Sequence, residues 1–166
     1  MNDVIILGDW PQPAVVSEPT VFADDTTVVL RYKTNDGTAI IKFPLADTFM
    51  FGAPNDEALG GHPLSKKGLK FYSVHRVDNS SWIEELERRN AVHPQHDRER
   101  FMKDKIHYVF TFQDSTFECV VNEGQFWKPE ITVHTKEEDA ELNWRKHIKA
   151  EQTNAPAASS ATDSKR

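Results

Sequence analysis

Two stretches of this chain bring together side chains able to do chemistry. The first is 51–69, which holds four of the seven glycines (Gly52, Gly60, Gly61 and Gly68) together with Pro54 and Pro63. That density of breakers marks one long irregular connection, and connections of this length either serve a function or lack order. It carries Asn55, Asp56, Glu57 and His62. Two carboxylates and an imidazole suit proton transfer, so Asp56 and Glu57 are the candidate general bases. Asn55 and His62 are candidate ligand contacts. On this reading the loop faces a ligand, and His62→Ala is expected to leave stability nearly unchanged. A purely structural role is also open: Asp56 can cap a single turn, Glu57-Ala58-Leu59, that Gly60 stops. The stretch matches neither GxxxxGK[ST] nor GxGxxG, which removes support for a nucleotide loop.

The second stretch is 90–97, NAVHPQHD. His93 and His96 lie three apart, a spacing that points both imidazoles the same way on a helix, although Pro94 favours a loop. Imidazoles suit zinc, iron or nickel, and a third ligand has to come from elsewhere. A divalent metal held by His93, His96 and His62, or by a carboxylate in place of His62, would make the chain a metal-dependent hydrolase or oxygenase. Without a metal, His93 and the turn residue Asn79 join Asn55 and His62 as ligand contacts. Other reactive types have plainer explanations. His75 and His107 alternate with apolar residues in strands, which fits packing. Cys119 shares a face with Phe117 and Val121, as a small buried hydrophobe does. Asp114 and Ser115 fit a turn, and Glu118 fits an outward strand position.

Strands dominate the elements that must hold these groups. Residues 26–33 and 38–43 are β-branched and apolar, and the Asp36-Gly37 pair between them is a hairpin signal, because both types tolerate φ > 0. Residues 106–112 and 116–121 flank Gln113-Asp114-Ser115, a second hairpin. Both carry apolar residues on two faces, so this hairpin belongs at the centre of a sheet. Residues 71–77 form another strand, 126–134 an edge strand or a bulge, broken by Pro129, and 4–7 and 15–22 weaker ones. Two helices are expected. One starts with the capping box Ser81…Glu84 and buries Trp82, Ile83 and Leu86. The other starts at Thr135…Glu138, runs to about residue 150, and has a thin apolar face of Leu142, Trp144 and Ile148. Trp10 and Trp127, each near a proline, line a pocket or partner surface or seal the ends of the sheet. The fold class is mainly β (α+β): an antiparallel β-sandwich or partly open barrel with two short helices.

At 166 residues the chain is one domain long. Residues 1–151 form the expected β-rich domain, and 152–166, small and polar, are expected to form a disordered tail. Lys and Arg number 20 against 26 Asp and Glu, a net charge of −6. Residues 1–30 hold Asp3, Asp9, Glu18, Asp24 and Asp25 and no Lys or Arg, so they account for nearly all of it. The basic clusters, Lys66, Lys67 and Lys70, and Arg98, Arg100, Lys103 and Lys105, are short, and the second is interrupted by Glu99 and Asp104. Nucleic acid is therefore not an expected partner. No apolar run reaches the roughly 20 residues of a membrane helix, and a single cysteine without an export signal points to the cytoplasm.

The stretches GAPNDEALGGHPL, NSSWIEEL, HPQH and HYVFTFQDSTFEC resemble a family of small uncharacterised bacterial proteins. The resemblance spans about residues 51–121, implies no activity, and transfers no functional residue. The leading functional expectation is a small cytosolic domain that binds a small ligand or a partner protein through loops 52–68 and 90–97 and the Asn79 turn. The metal-dependent enzyme is one alternative. The other is an interaction or inhibitor protein whose Asp24 and Asp25 steer a basic partner.

Overall fold

The computed structural model describes residues 1–152. It is an open sandwich of two antiparallel sheets, not a closed barrel. In chain order the strands are β1 (Asp3–Ile6), β2 (Thr20–Ala23), β3 (Val28–Thr34), β4 (Gly37–Phe43), β5 (Ala46–Gly52), β6 (Val74–Asp78), β7 (Lys105–Thr111), β8 (Thr116–Asn122) and β9 (Glu130–His134). One sheet runs β1-β6-β7-β8-β5, the other β2-β3-β4-β9. The β7–β8 hairpin lies inside its sheet and β9 lies on an edge, as the two-faced apolar pattern and Pro129 predict. The helices are α1 (Ser81–Asn90), α2 (Arg98–Met102) and α3 (Glu137–Gln152). The expected tail lies outside the described residues except for Gln152, which ends α3.

Period-two alternation sends one set of side chains from each sheet into the space between them. Val28, Leu30, Tyr32, Ala39, Ile41 and Phe43 meet Tyr108, Phe110, Phe112, Phe117, Cys119 and Val121 there. Trp10 joins them, its ring centroid 4.9 Å from that of Tyr108, so it seals the sandwich. Trp127 stays half exposed. Burial pushes the Cys119 thiol well up, in keeping with a packing role.

The outer faces are covered as well. On the β2-β3-β4-β9 sheet, α3 lays Ala140, Trp144 and Ile148 over Val29 and Ile40. Leu142, expected on that face, is 60% exposed, because a 140/144/148 stripe leaves position 142 on the opposite side. On the other sheet, the segment between β5 and β6 packs Leu59, Leu64 and Leu69 onto Val77 and Val109. That segment is ordered by two 3-10 turns, Leu59–Gly61 and Ser65–Lys67.

Four local expectations need correction. The β3–β4 turn is Asn35-Asp36, and Gly37 already pairs with Thr34. Only Gly37 has positive φ there; its place is dictated by the close approach of β9. The cap of α1 is Ser80, which accepts from Ile83 N, not Ser81. Strand β5 and the five-residue α2, capped by Asp97, were not expected. The chain reaches β5 by crossing between sheets at Leu45, a left-handed residue with φ 52°.

Candidate functional site

The outer face of the β1-β6-β7-β8-β5 sheet carries polar groups in its middle. Val109 pairs with Glu118, and His107 with Val120, so His107 and Glu118 project to the same side of adjacent strands. The segment above supplies His62, where the first 3-10 turn ends. Two ties hold that segment in place: Thr116 Oγ1 donates to Pro54 O at 2.9 Å, and Asp56 N donates to Gln113 O at 2.8 Å.

His62, His107 and Glu118 form one buried unit, with exposures of 6%, 2% and 8%. His62 Nε2 is 2.8 Å from Glu118 Oε1, and His107 Nε2 is 2.8 Å from Glu118 Oε2. The tautomers follow from donors that cannot change sides. Leu64 N–H donates to His62 Nδ1 at 3.1 Å, so the ring's own proton lies on Nε2 and points at Glu118. The carboxylate can only accept, so His107 also carries its proton on Nε2. His107 Nδ1 then accepts from the Ser80 hydroxyl at 2.8 Å, and Ser80 Oγ accepts from Ile83 N at 3.3 Å. Burial raises the Glu118 carboxyl, but the His107 and His62 hydrogen bonds outweigh it and hold the group at about 2.

Two clefts open onto this unit and share Met50, His62, Pro63 and Glu118. The larger, about 540 Å³, is walled by Phe51, Ala53, Pro54 and Ala58 and reaches Thr116. The smaller, about 230 Å³, extends to Asn2, Leu64, Trp82 and His107. The Trp82 ring stands edge-on to His107 at 5.1 Å.

The order Ser80–His107–Glu118 is that of a nucleophilic relay. Ser80, however, is 4% exposed and occupied as the α1 cap. It lines neither cleft, bordering instead a charged one of about 440 Å³ beside Arg76, Asp78, Glu84 and Lys105. Its visible work is to tie α1 to β7. Ser80→Ala is expected to cost about 1–2 kcal/mol in urea denaturation, through loss of the cap and of the His107 donor. A change under about 0.5 kcal/mol would show the hydroxyl to be idle.

The chain matches no family model, no curated protein and no solved structure. Function therefore has to be argued from the geometry alone.

The residues singled out in the sequence do not form one site. His93 and His96 line a separate cleft of about 340 Å³ with Asn90, Asp97, Arg100 and Lys105. His96 Nε2 is 2.7 Å from Glu87 Oε1 and its Nδ1 is 3.0 Å from Asn90 Nδ2, while His93 Nδ1 accepts from Gln95 N. The structure does not bring His62 to them: among the described residues, no three His, Cys, Asp or Glu side chains form a group that could hold a metal ion. Asp56 accepts from the Tyr72 hydroxyl and Asn55 Oδ1 from Ala58 N, so Asn55 is the turn's capping side chain. Glu57 is exposed. Asn79, left-handed at φ 51°, donates to Asp3 Oδ2 at 2.8 Å. Loops 52–68 and 90–97 thus line different clefts, not one face. In the acidic N-terminal stretch, Asp24 accepts from Thr26 N and Thr27 N, and Glu18 pairs with Lys33.

His75 is structural, as expected. Its Nε2 accepts from Lys70 N and its Nδ1 faces Val109 O, and burial lowers its pKa. Glu118 corrects the sequence reading: its strand position is outward from the sandwich but covered by the loop segment. His62 is also too buried and too well bonded to serve as a stability-neutral probe.

Proposed function

We propose that this chain is a small-ligand-binding domain whose site is the pair of clefts over Glu118, His62 and His107. The reading is carried by one observation: a fixed, buried, charged unit lies at the base of an otherwise apolar cleft. Ligand sites combine mostly apolar walls with a few positioned polar groups. Here Met50, Phe51, Pro54 and Pro63 offer the walls and Glu118 the anchor. A ligand with an apolar body and one polar head suits that division. A single, fully buried cysteine fits a reducing compartment, so the cytoplasm is the proposed location. Among the described residues no helix is long and apolar enough to cross a membrane.

Met50 supplies the test, because it lines both clefts yet is 50% exposed, so replacing it leaves the core intact. N-phenyl-1-naphthylamine, a neutral apolar fluorophore, is expected to bind the wild-type protein saturably at one site. Met50→Trp is expected to weaken that binding at least tenfold and to move the melting temperature by no more than about 2 °C. Saturable binding that Met50→Trp leaves unchanged would place the site elsewhere, and no saturable binding would remove it.

A further inference from the structure

The polar floor of the cleft is asymmetric in charge and in hydrogen-bonding capacity, and this bears on which ligand fits. Among the described residues lining the two clefts there is no Lys or Arg, and Glu118 is the one carboxylate. Its two neighbours do not present free donors to the cleft. The Nε2 protons of His62 and His107 both point at Glu118, and their Nδ1 atoms are taken by Leu64 N–H and the Ser80 hydroxyl. Thr116 spends its hydroxyl proton on Pro54 O, and one Asn2 amide proton goes to Ser81 Oγ.

Glu118 still has capacity. A carboxylate has about four acceptor positions, and the imidazoles fill one on each oxygen. Its side chain keeps 10% of its surface accessible. The floor therefore offers acceptors and a negative charge, and the donors left in the smaller cleft (the Ser81 hydroxyl, the second Asn2 N–H and the Trp82 indole N–H) are neutral. A carboxylate or phosphate head would meet like charge at the anchor. A neutral head would gain a hydrogen bond but leave the buried charge uncompensated, whereas a cation would both donate a hydrogen bond and neutralise the charge. The walls suit a cation with an apolar body: Met50 presents a polarizable thioether and Trp82 an indole ring.

We infer that the ligand of this cleft is a small organic cation, a protonated amine carried on an apolar body, held by Glu118. The inference rests on the cleft being the ligand site, and the experiment separates the two. Hexylammonium, 1-hexanol and hexanoate share one chain and differ in the head. At pH 7, calorimetric titration of wild-type protein is expected to show hexylammonium binding at least tenfold more tightly than either of the others. Glu118→Gln, checked for its fold by circular dichroism, is expected to weaken hexylammonium binding and reduce that preference to under threefold. If hexanol or hexanoate binds wild-type protein as tightly as hexylammonium, the cation is wrong and the cleft survives. If none of the three binds while N-phenyl-1-naphthylamine does, the cation is again wrong. If the fluorophore fails too, both readings fall.

Discussion

Glu118→Ala is expected to lose about 3–5 kcal/mol of stability, because it strands two buried N–H donors at once. His62 and His107 each direct a proton at this carboxylate from 2.8 Å, and the His62 ring cannot turn its proton elsewhere cheaply. His62 is held by the Leu64 amide, which can only donate. His107 has more freedom: Ser80 can reverse its hydroxyl and accept, letting His107 Nε2 become an acceptor. Glu118→Gln exploits that freedom, with its carbonyl oxygen toward His62 and its amide toward His107. It is therefore expected to cost about 1–2 kcal/mol. The ranking alanine worse than glutamine distinguishes loss of hydrogen bonds from loss of charge.

The pH dependence has a definite sign. The Glu118 carboxyl lies at about 2 in the fold against an ordinary value of 4.5. A depressed acid contributes stability that is fully present above about pH 4.5 and is lost as pH falls towards 2. Urea denaturation of the wild type and of Glu118→Gln should thus give curves that lie furthest apart above pH 5 and converge below pH 3. The buried His75, which also disfavours acid, is common to both proteins and cancels in the difference. A gap that stays constant from pH 7 to pH 2 would show that the charge on Glu118 contributes nothing to folding.

Glu118 also shows what the sequence could reveal and where the reading stopped. The β7–β8 hairpin is apolar on both faces, which requires cover on both. That same requirement implies a buried Glu118 in need of partners, yet alternation alone gives only an outward strand position. Alternation assigns a residue to a face; it does not say whether a loop covers that face. The covering segment was legible as a long irregular stretch, but its leucines at 59, 64 and 69 have no strand or helix period, so their docking on Val77 and Val109 was not. His62 stood out for its chemistry, while its partners at 107 and 118 are distant in sequence and join it only through tertiary packing. Strand β5 escaped for a related reason: on the sheet edge, Phe49, Met50 and Phe51 are all partly exposed, which erases the inside–outside alternation that marks a strand. The pair His93 and His96 shows the opposite case. A three-residue spacing converges only on a helix and Pro94 favours a loop; in the fold His96 is committed to Glu87 and Asn90 and tethers the loop after α1.

Gly37→Ala is expected to lose at least about 3 kcal/mol, through two costs that act together. The residue has φ 150°, on the side of the map that side chains rarely occupy. A Cβ there would also lie 2.2 Å from His134 O, 2.9 Å from His134 C and 3.1 Å from Thr135 Cα. All three are backbone atoms, so no rotamer change relieves them. Relief requires β9 to move away from β4, and the register Thr38↔His134 is the end of that pairing. The displacement would carry into α3, which begins two residues after Thr135. There Glu137 accepts from the Thr38 hydroxyl at 2.8 Å, while Ala140 and Trp144 cover Val29 and Ile40. The substitution should therefore loosen α3 as well as the strand, visible as faster amide exchange across 137–148 than in the β7–β8 hairpin. Gly60→Ala is the control: nothing lies within 4 Å of its added Cβ and its φ is not positive, so its effect should stay within about 0.5 kcal/mol. Equal, small effects at both glycines would mean that β9 yields without cost, and that the edge it forms is not fixed by Gly37.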